Sequence, residues 1–154
     1  MILNSENLNE EISKLKQQNK KIVFTNGCFD ILHKGHITYL NESRSLGDVL
    51  IVGVNSDNSV KKLKGEDRPV TNENDRMYAL DNLKPVNYVI LFSEDTPYEL
   101  IKKIIPDILV KGGDWAPDKI VGSDVVLENG GEVKSLKFVN GYSTTNILEK
   151  IKKL

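Results

Sequence analysis

Short apolar runs along this chain alternate with segments of helical periodicity. The runs are rich in Val and Ile, and Gly, Asn or Pro stands close to their ends, as is typical of buried strands. They lie at Lys21–Thr25, Val49–Asn55, Tyr88–Phe92 and Ile108–Lys111, and a further short strand is predicted at Glu132–Leu136. The pattern therefore predicts five strands, the last of them short.

Between these runs, apolar residues recur every three or four positions, as they do along one face of a helix. Helices are predicted at Lys34–Leu46, Glu73–Leu83, Tyr98–Ile105 and Thr144–Lys152. Gly47 stops the first helix, and Pro85 and Pro106 end the next two, because the residue before a proline avoids the helical conformation. The segment Ser56–Thr71 is expected to be a basic loop rich in turn residues.

Strands that are apolar on both faces and alternate with helices are typical of a parallel sheet covered on both sides. The predicted fold class is therefore α/β, a Rossmann-like doubly wound parallel sheet with helices on both faces. In such sheets, ligands bind beyond the carboxyl ends of the strands, where the strand order reverses. Two segments rich in Gly and Asp fall at such ends, Asn26–Asp30 after the first strand and Gly112–Trp115 after the fourth.

The N-terminal segment Met1–Lys20 is polar, with Ile12 and Leu15 at helical spacing, which predicts a short amphipathic lead-in helix. With 154 residues, the chain is long enough to bury a full core as one domain. We therefore divide it into a lead-in helix, residues 1–20, and a single domain, residues 21–154.

Composition and charge indicate which partners and which cellular location to expect. The net charge of −1 gives no support for binding nucleic acid or an anionic membrane, so we expect neither as a partner. No apolar run approaches the 18 or so residues of a membrane span, and no signal peptide is recognised. The one cysteine, Cys28, cannot form an internal disulfide, which favours a reducing compartment. A cytoplasmic location is the simplest expectation.

The chain's only two histidines, His33 and His36, stand three residues apart at the start of a predicted helix, with Gly35 between them. At this spacing two side chains share a helix face, and the glycine lets a bulky group approach the backbone. A helix N-terminus also favours phosphate, through free N–H groups and a positive dipole end. This arrangement predicts a polyphosphate site, and the alternative is a pair that only caps or packs. No further His or Cys cluster supplies a third metal ligand, so no metal site is predicted.

Three other segments are candidates for the same site, each with a simpler interpretation. The turn Asn26–Asp30 either cradles phosphate with its N–H groups or is a plain connection, and its Cys28 is expected to be a spectator thiol. The cations of Lys61–Arg68 either capture an anion, which we favour, or form a solvated charge run. The segment Tyr142–Asn146 either binds a triphosphate or only caps the last helix.

The turn Gly112–Trp115 offers permissive glycines, a carboxylate at Asp114 that can accept ribose or sugar hydroxyls, and an aromatic ring. For Trp115 alone, packing on the core is the expectation.

With a strand leading to GxFD and HxGH, and a Ser-Thr-Thr helix start near its end, the chain resembles the cytidylyltransferase-like nucleotidyltransferase superfamily. Within it, the sequence is most similar to the adenylyltransferases of ADP-heptose biosynthesis, which act on D-glycero-D-manno-heptose 1-phosphate. The stretches that carry this similarity are Thr25–His36, Val54–Asp57, Lys62–Gly65, Arg68–Val70, Glu94–Pro97, Pro106–Trp115, Glu128–Val133 and Ser143–Ile147.

The resemblance implies that an oxygen of the sugar 1-phosphate attacks the α-phosphorus of ATP and that pyrophosphate leaves with the assistance of Mg²⁺. It implies that His33 and His36 grip the α- and β-phosphates and that a loop lysine, Lys61 or Lys64, neutralises charge. The nucleotide-binding positions that it suggests are Asn26, Gly27, Cys28, Phe29, Asp30, Lys34, Gly35, Gly113, Asp114, Ser143, Thr144 and Thr145. The expected partners are ATP, heptose 1-phosphate and a second copy of the chain in a homodimer.

The chain also departs in three respects from the family that it resembles. Many heptose adenylyltransferases form the back half of a longer chain with a sugar kinase in front, so this one resembles the stand-alone type and implies a separate kinase. Trp115 stands where tyrosine is common in the long form. Glycerol-3-phosphate cytidylyltransferases carry an arginine shortly before Ser-Thr-Thr, and Phe138–Tyr142 has none. The alternatives are a cytidylyl- or guanylyltransferase acting on another phosphorylated acceptor, a non-catalytic nucleotide-binding module, and an assembly protein.

Overall fold

The computed structural model describes all of the residues from Met1 to Leu154. The strands are β1 (Ile2–Leu3), β2 (Ile22–Gly27), β3 (Val49–Asn55), β4 (Tyr88–Phe92), β5 (Ile108–Gly112) and β6 (Glu132–Leu136). The helices are α1 (Leu8–Gln17), α2 (Lys34–Ser45), α3 (Asp57–Lys64), α4 (Glu73–Asp81), α5 (Tyr98–Ile104), α6 (Ser123–Glu128) and α7 (Thr144–Lys152), with a single 3-10 turn at Pro117–Lys119. Every predicted strand and helix is present. All lie within two residues of their predicted ends except the lead-in helix, which was predicted over Met1–Lys20 and spans Leu8–Gln17. No helix has both the length and the apolar character needed to cross a membrane.

The six strands form one parallel sheet in the order β1-β4-β3-β2-β5-β6. The chain moves from β2 through β3 to β4 in one direction and then returns to place β5 on the other side of β2. The strand order therefore reverses between β2 and β5, where Val23 lies beside Ile108. The predicted doubly wound α/β fold is confirmed.

Successive strand residues point to opposite faces of the sheet, and each face carries its own buried cluster. Ile22 and Phe24 of β2 pack on one face with residues of α1, α5 and α6. Val23 packs on the other face with Tyr39 and Leu40 of α2. Both faces are covered because both alternating sets of side chains are apolar.

The N-terminal segment shares this core. Ile12 and Leu15 of the predicted lead-in helix are buried in the first cluster, and β1 pairs with β4 at the edge of the sheet. The division at Lys20 stays a prediction. Neither β1, of two residues, nor α6, of six, was predicted, because segments this short show no measurable period.

The expected loop Ser56–Thr71 was wrong in its first half, which forms α3. Ser56 caps this helix, since its side chain accepts a hydrogen bond from the Ser59 N–H at 3.2 Å. Asp57 lies in the first turn, and lysines occupy the last, as the helix dipole favours. These cap and first-turn residues are visible in the sequence, but the run of charged residues led to the prediction of a loop.

Candidate active site

A cavity of about 670 Å³ lies beyond the carboxyl ends of β2 and β5, where the strand order reverses. Parallel sheets bind ligands at this position, and the volume is within the range of small-molecule sites. Its walls come from the turn after β2, the start of α2, the end of β5 and the start of α7. Twelve of the sixteen predicted site residues line this one cavity: Asn26, Gly27, Cys28, Phe29, Asp30, His33, Gly35, His36, Lys64, Ser143, Thr144 and Thr145.

His33 is the N-cap of α2 as well as a wall of the cavity. Its Nδ1 accepts hydrogen bonds from the backbone N–H of Gly35 at 3.0 Å and of His36 at 3.4 Å. An accepting Nδ1 carries no proton, so the neutral ring holds its proton on Nε2. The capping and phosphate-binding interpretations of His33 are therefore compatible, because they use different nitrogens.

His36 stacks on His33, with ring centroids 3.9 Å apart and an interplanar angle of 22°. Its Nδ1 is buried and has no hydrogen-bond partner in the protein. A bare nitrogen is less costly there than an unpaired N–H, which favours the tautomer protonated on Nε2. Burial, and to a smaller degree His33, lower the pKa of His36 from 6.5 to about 4. Near neutral pH the pair is thus uncharged and supplies hydrogen-bond donors.

We expect the protein to lose stability as the pH falls from about 6.5 to about 4. The folded pKa of His36 lies below its ordinary value, so in this window the unfolded chain binds the additional proton and unfolding becomes easier. Urea unfolding at pH 7, 6 and 5 tests this, with His36→Asn as the variant that lacks the titrating ring. The variant should show a shallower decline over this range, and equal slopes would contradict the assignment.

Gly35 lets the His33 ring and Tyr142 pack closely against the backbone at the start of α2. A Cβ atom there would lie 2.9 Å from His33 Cε1 and 2.9 Å from Tyr142 Cβ. The start of α2, the His33 ring and the segment before α7 therefore meet only because this position has no side chain.

Asp30 is buried, and its carboxylate is fully used within the protein. It accepts hydrogen bonds from Arg68 Nε at 2.7 Å and from the N–H groups of Val70 and Thr71 at 3.0 and 2.9 Å. Burial alone would raise the pKa of Asp30, but these donors hold it below its ordinary value of 3.8. Asp30 therefore ties the turn after β2 to the segment that follows α3.

Arg76 lies in α4 and is almost completely buried, at 1% exposure. Its guanidinium donates to the carbonyls of Cys28 at 2.7 Å and Asn55 at 2.8 Å, and to the Asp57 carboxylate at 2.8 Å. A further bond joins its Nε to the Thr71 carbonyl at 2.9 Å. One side chain thus holds together the ends of β2 and β3 and the start of α3. Sequence reasoning missed it, because a lone arginine in a helix carries no local signal.

The thiol of Cys28 is half-buried, and burial raises its pKa above the ordinary value. A protonated thiol is a poor nucleophile. The expectation of a spectator cysteine in the cavity wall agrees with this environment.

Of the predicted cations, Lys64 and Arg68 line the cavity, and Lys61 does not. Lys61 and Lys64 share a face of α3, but Lys61 lies about 4.5 Å further back along the helix axis, away from the C-terminal end that reaches the cavity. Lys62 instead approaches Asp95, at 4.0 Å. The structure adds Lys111, at the end of β5, which no sequence argument selected. The available signal was a lysine at the carboxyl end of an otherwise apolar strand, where a charged side chain indicates a site.

The turn after β5 differs from expectation. Trp115 is 48% exposed and lines the cavity, so its predicted packing on the core was wrong. Lys111 Nζ lies 4.8 Å from the centroid of its ring, a cation–π contact that holds both at the cavity mouth. Gly113 and Asp114 lie outside the lining, because the Ser135 side chain, hydrogen-bonded to the Gly113 carbonyl, binds this turn to β6.

The start of α7 closes the cavity on the side opposite the turn after β2. Ser143 caps the helix, accepting from the Asn146 N–H at 3.0 Å, and Thr144 Oγ1 donates to the Ile31 carbonyl at 3.3 Å. The capping interpretation is thus correct, and the same residues line the cavity. Lys34 lies just outside the lining, with Nζ 5.8 Å from the Tyr142 ring centroid. It brings a cation to the segment Phe138–Tyr142, which contains no arginine.

These features define a class of protein: a doubly wound α/β nucleotidyltransferase-type domain with paired histidines and two helix N-termini around one cavity. The model of the Cytidylyltransferase-like family matches residues 24–150. The chain belongs to this family, as its HxGH, GxFD and Ser-Thr-Thr motifs predicted.

Known proteins agree with this assignment. The Bifunctional protein HldE of Haemophilus influenzae (strain PittEE) is 56% identical over 153 residues, which cover 99% of this chain and 32% of that protein. The Bifunctional protein HldE of Aliarcobacter butzleri (strain RM4018) is 56% identical over 146 residues, covering 95% of this chain and 30% of that protein. The chain thus spans about a third of the length of the curated relatives that it matches.

Two solved structures extend the comparison. The lipopolysaccharide core biosynthesis protein from Thermoplasma volcanium GSS1 is 34% identical, with a TM-score of 0.62 over 80% of this chain and 99% of that one. Pantothenate synthetase from Thermus thermophilus, at 16% identity and a TM-score of 0.57, covers 92% of this chain and 68% of that one. The second shares the fold alone.

Proposed function

We propose that this protein is a nucleotidyltransferase that transfers AMP from ATP to D-glycero-D-manno-heptose 1-phosphate, giving ADP-heptose and pyrophosphate. The observation that carries the proposal is the stacked pair His33–His36, facing a cavity at the point where the strand order reverses. Family membership and the similarity to HldE and to a lipopolysaccharide core biosynthesis protein support the choice of chemistry and acceptor.

The reaction needs positioning and charge stabilisation rather than a protein nucleophile. An oxygen of the sugar phosphate forms a bond to the α-phosphorus of ATP, the bond from that phosphorus to the bridging oxygen breaks, and the electron pair leaves with pyrophosphate. Charge grows on the oxygens around the α-phosphorus and on the leaving group. The Nε2–H groups of His33 and His36 donate to these oxygens, while Lys64 neutralises charge from α3. The start of α7 adds the N–H groups of Thr144 and Thr145, and the N-terminus of α2 adds the positive end of its dipole.

Asp30 and Arg76 act as positioning residues in this proposal. Asp30 has no free lone pair aimed at the ligand, because its carboxylate already holds Arg68 and the N–H groups of Val70 and Thr71. Arg76 holds the Cys28 carbonyl and so fixes the backbone of the phosphate cradle. Both therefore keep the cradle in shape before the substrate arrives.

Mg²⁺ is the cofactor that we propose, entering with the triphosphate. The chain contains no group of three or more His, Cys, Asp or Glu that could hold a metal ion by itself. Mg²⁺ commonly binds through substrate phosphates and water, with only one or two carboxylates from the protein. A chain without a metal-binding cluster of its own therefore fits a cation that ATP carries into the site. When bound, the ion neutralises the pyrophosphate leaving group. The homodimer, the separate sugar kinase and the cytoplasmic location stay predictions from the resemblance and the composition.

The test is pyrophosphate release with ATP, CTP, GTP and UTP, each with and without the heptose 1-phosphate and Mg²⁺. Release that requires ATP and the heptose phosphate together supports the proposal. Release with another nucleotide would replace adenylyl transfer by a different nucleotidyl transfer at the same site. No release with any nucleotide, from folded protein that binds ATP, would favour a non-catalytic nucleotide-binding module.

A further inference from the structure

A second cavity, of about 180 Å³, adjoins the first at the same edge of the sheet. It lies over the ends of β3 and β5, beside the segment that follows β4, and shares Asn26, Leu63 and Lys111 with the first cavity. Its volume is about a quarter of that of the first cavity. The phosphate-binding histidines do not line it.

Asn55, at the end of β3, is the most informative wall residue of this second cavity. It is only 4% exposed, and its Nδ2 donates to Ser59 Oγ at 2.9 Å. Its Oδ1 accepts no hydrogen bond from the protein, yet it is not sealed from the cavity, since His36 Nδ1 alone is both buried and unpaired. A nearly buried carboxamide oxygen without a partner costs free energy unless a ligand or water completes it. Asn55 therefore points to a ligand that donates a hydrogen bond.

Asn26 and Lys111 stand where the two cavities meet. The Asn26 backbone pairs with β3, and its carboxamide makes no hydrogen bond within the protein. Lys111 has no carboxylate within ion-pair distance, and its only charge contact is with the Trp115 ring. A free ammonium group between the two cavities suits a phosphate that spans them.

The remaining walls combine polar and apolar groups. Asp95 and Thr96, after β4, contribute a carboxylate and a hydroxyl, and Ile120 and Val121 form an apolar side. Hydroxyl groups on one side and C–H groups on the other are the chemistry of a sugar or polyol.

We propose that this second cavity binds the polyhydroxylated part of the phosphorylated acceptor, with Asn55 accepting from one of its hydroxyls and Lys111 holding its phosphate between the two cavities. The inference rests on the proposed function, since it names where the acceptor of that transfer lies. The nucleotide then lies in the first cavity. The phosphate of the acceptor meets the α-phosphate of the nucleotide at the wall that the two cavities share, beside Asn26 and Lys111.

The test separates the acceptor from the nucleotide. Val121→Trp fills the second cavity from a position that does not line the first, and Asn55→Leu removes the polar group while keeping similar bulk. Leu127→Trp, at a 52% exposed position outside both cavities, is the matched control. For each protein, steady-state kinetics give the KM for heptose 1-phosphate, and calorimetry without acceptor gives the Kd for ATP.

For Val121→Trp we expect the acceptor KM to rise about tenfold or more, since a steric block opposes the acceptor alone. For Asn55→Leu we expect a rise of about 3- to 10-fold, the usual worth of one hydrogen bond. The Kd for ATP should stay within about twofold of wild type in both variants, because neither change reaches the first cavity. If Asn55→Leu fails to fold, Val121→Trp alone decides.

Two results would overturn the assignment while leaving the proposed function in place: an unchanged acceptor KM in active variants, or a Kd for ATP that rises in parallel with it. A wild-type protein that binds ATP but releases no pyrophosphate with the heptose phosphate would overturn the proposed function, and this inference with it.

Discussion

His36→Ala is expected to lower kcat by about 10²- to 10³-fold while the protein still folds, because one preorganised donor to developing negative charge is worth that much. The ring is uncharged near neutral pH, with a pKa of about 4, so its contribution is a directed Nε2–H rather than a full positive charge. That hydrogen bond strengthens as charge grows at the α-phosphorus, so the loss should appear in kcat rather than in the KM for ATP.

Ile37→Ala is the matched control, since Ile37 is the next residue in α2 and its side chain is 38% exposed. It should keep activity close to wild type. Far-ultraviolet circular dichroism and a cooperative urea transition establish that both variants are folded. A folded His36→Ala protein with near-wild-type kcat would remove His36 from the mechanism and leave only its packing against His33 and Phe29.

Arg76→Met is expected to lower the free energy of unfolding by about 3–5 kcal/mol, the usual cost of breaking a buried charged network by removing one partner. The change leaves the Cys28, Asn55 and Thr71 carbonyls without their donor. It also leaves the Asp57 carboxylate without its partner, although that side chain is 32% exposed and water can partly replace the arginine.

Urea unfolding provides the measurement, with Arg44→Met as the control. Arg44 donates to a single carbonyl, that of Gly47 at 2.7 Å, so its loss should cost only about 1 kcal/mol. Activity of folded Arg76→Met should fall as well, since the turn after β2, which we propose cradles phosphate, loses its anchor. If both variants lose the same small free energy, the network around Arg76 contributes little to stability.

The secondary structure could be predicted largely from local pattern. The strands β3 and β4 and the helix α7 begin and end where the sequence predicted, because buried β-branched runs and a Ser-Thr N-cap are local signals. β6, which is only partly buried, also matches its predicted range. α3 was missed where a charge run dominates the composition, although Ser56 and Asp57 mark its start. The elements β1 and α6 are too short for any periodic signal and depend on partners that are distant in the chain.

The candidate site was predictable where its residues are neighbours in sequence. His33, Gly35 and His36 form one such group, and Ser143 to Thr145 form another, since each depends on a single helix start. Lys61, Gly113 and Asp114 fall outside the lining, because their positions depend on the direction of α3 and on the contact of one turn with Ser135.

By itself, the sequence determined the α/β class, the family and the two helix starts that line the cavity, all of which follow from residues close together along the chain. The tertiary structure alone decided which strand ends meet. Because these strand ends are adjacent, Lys111 lines both cavities. Arg76 is enclosed among four acceptors, and the Asn55 carboxamide oxygen stays open to the second cavity. These contacts depend on the strand order, because a side chain's burial and partners come from elements far away in the sequence.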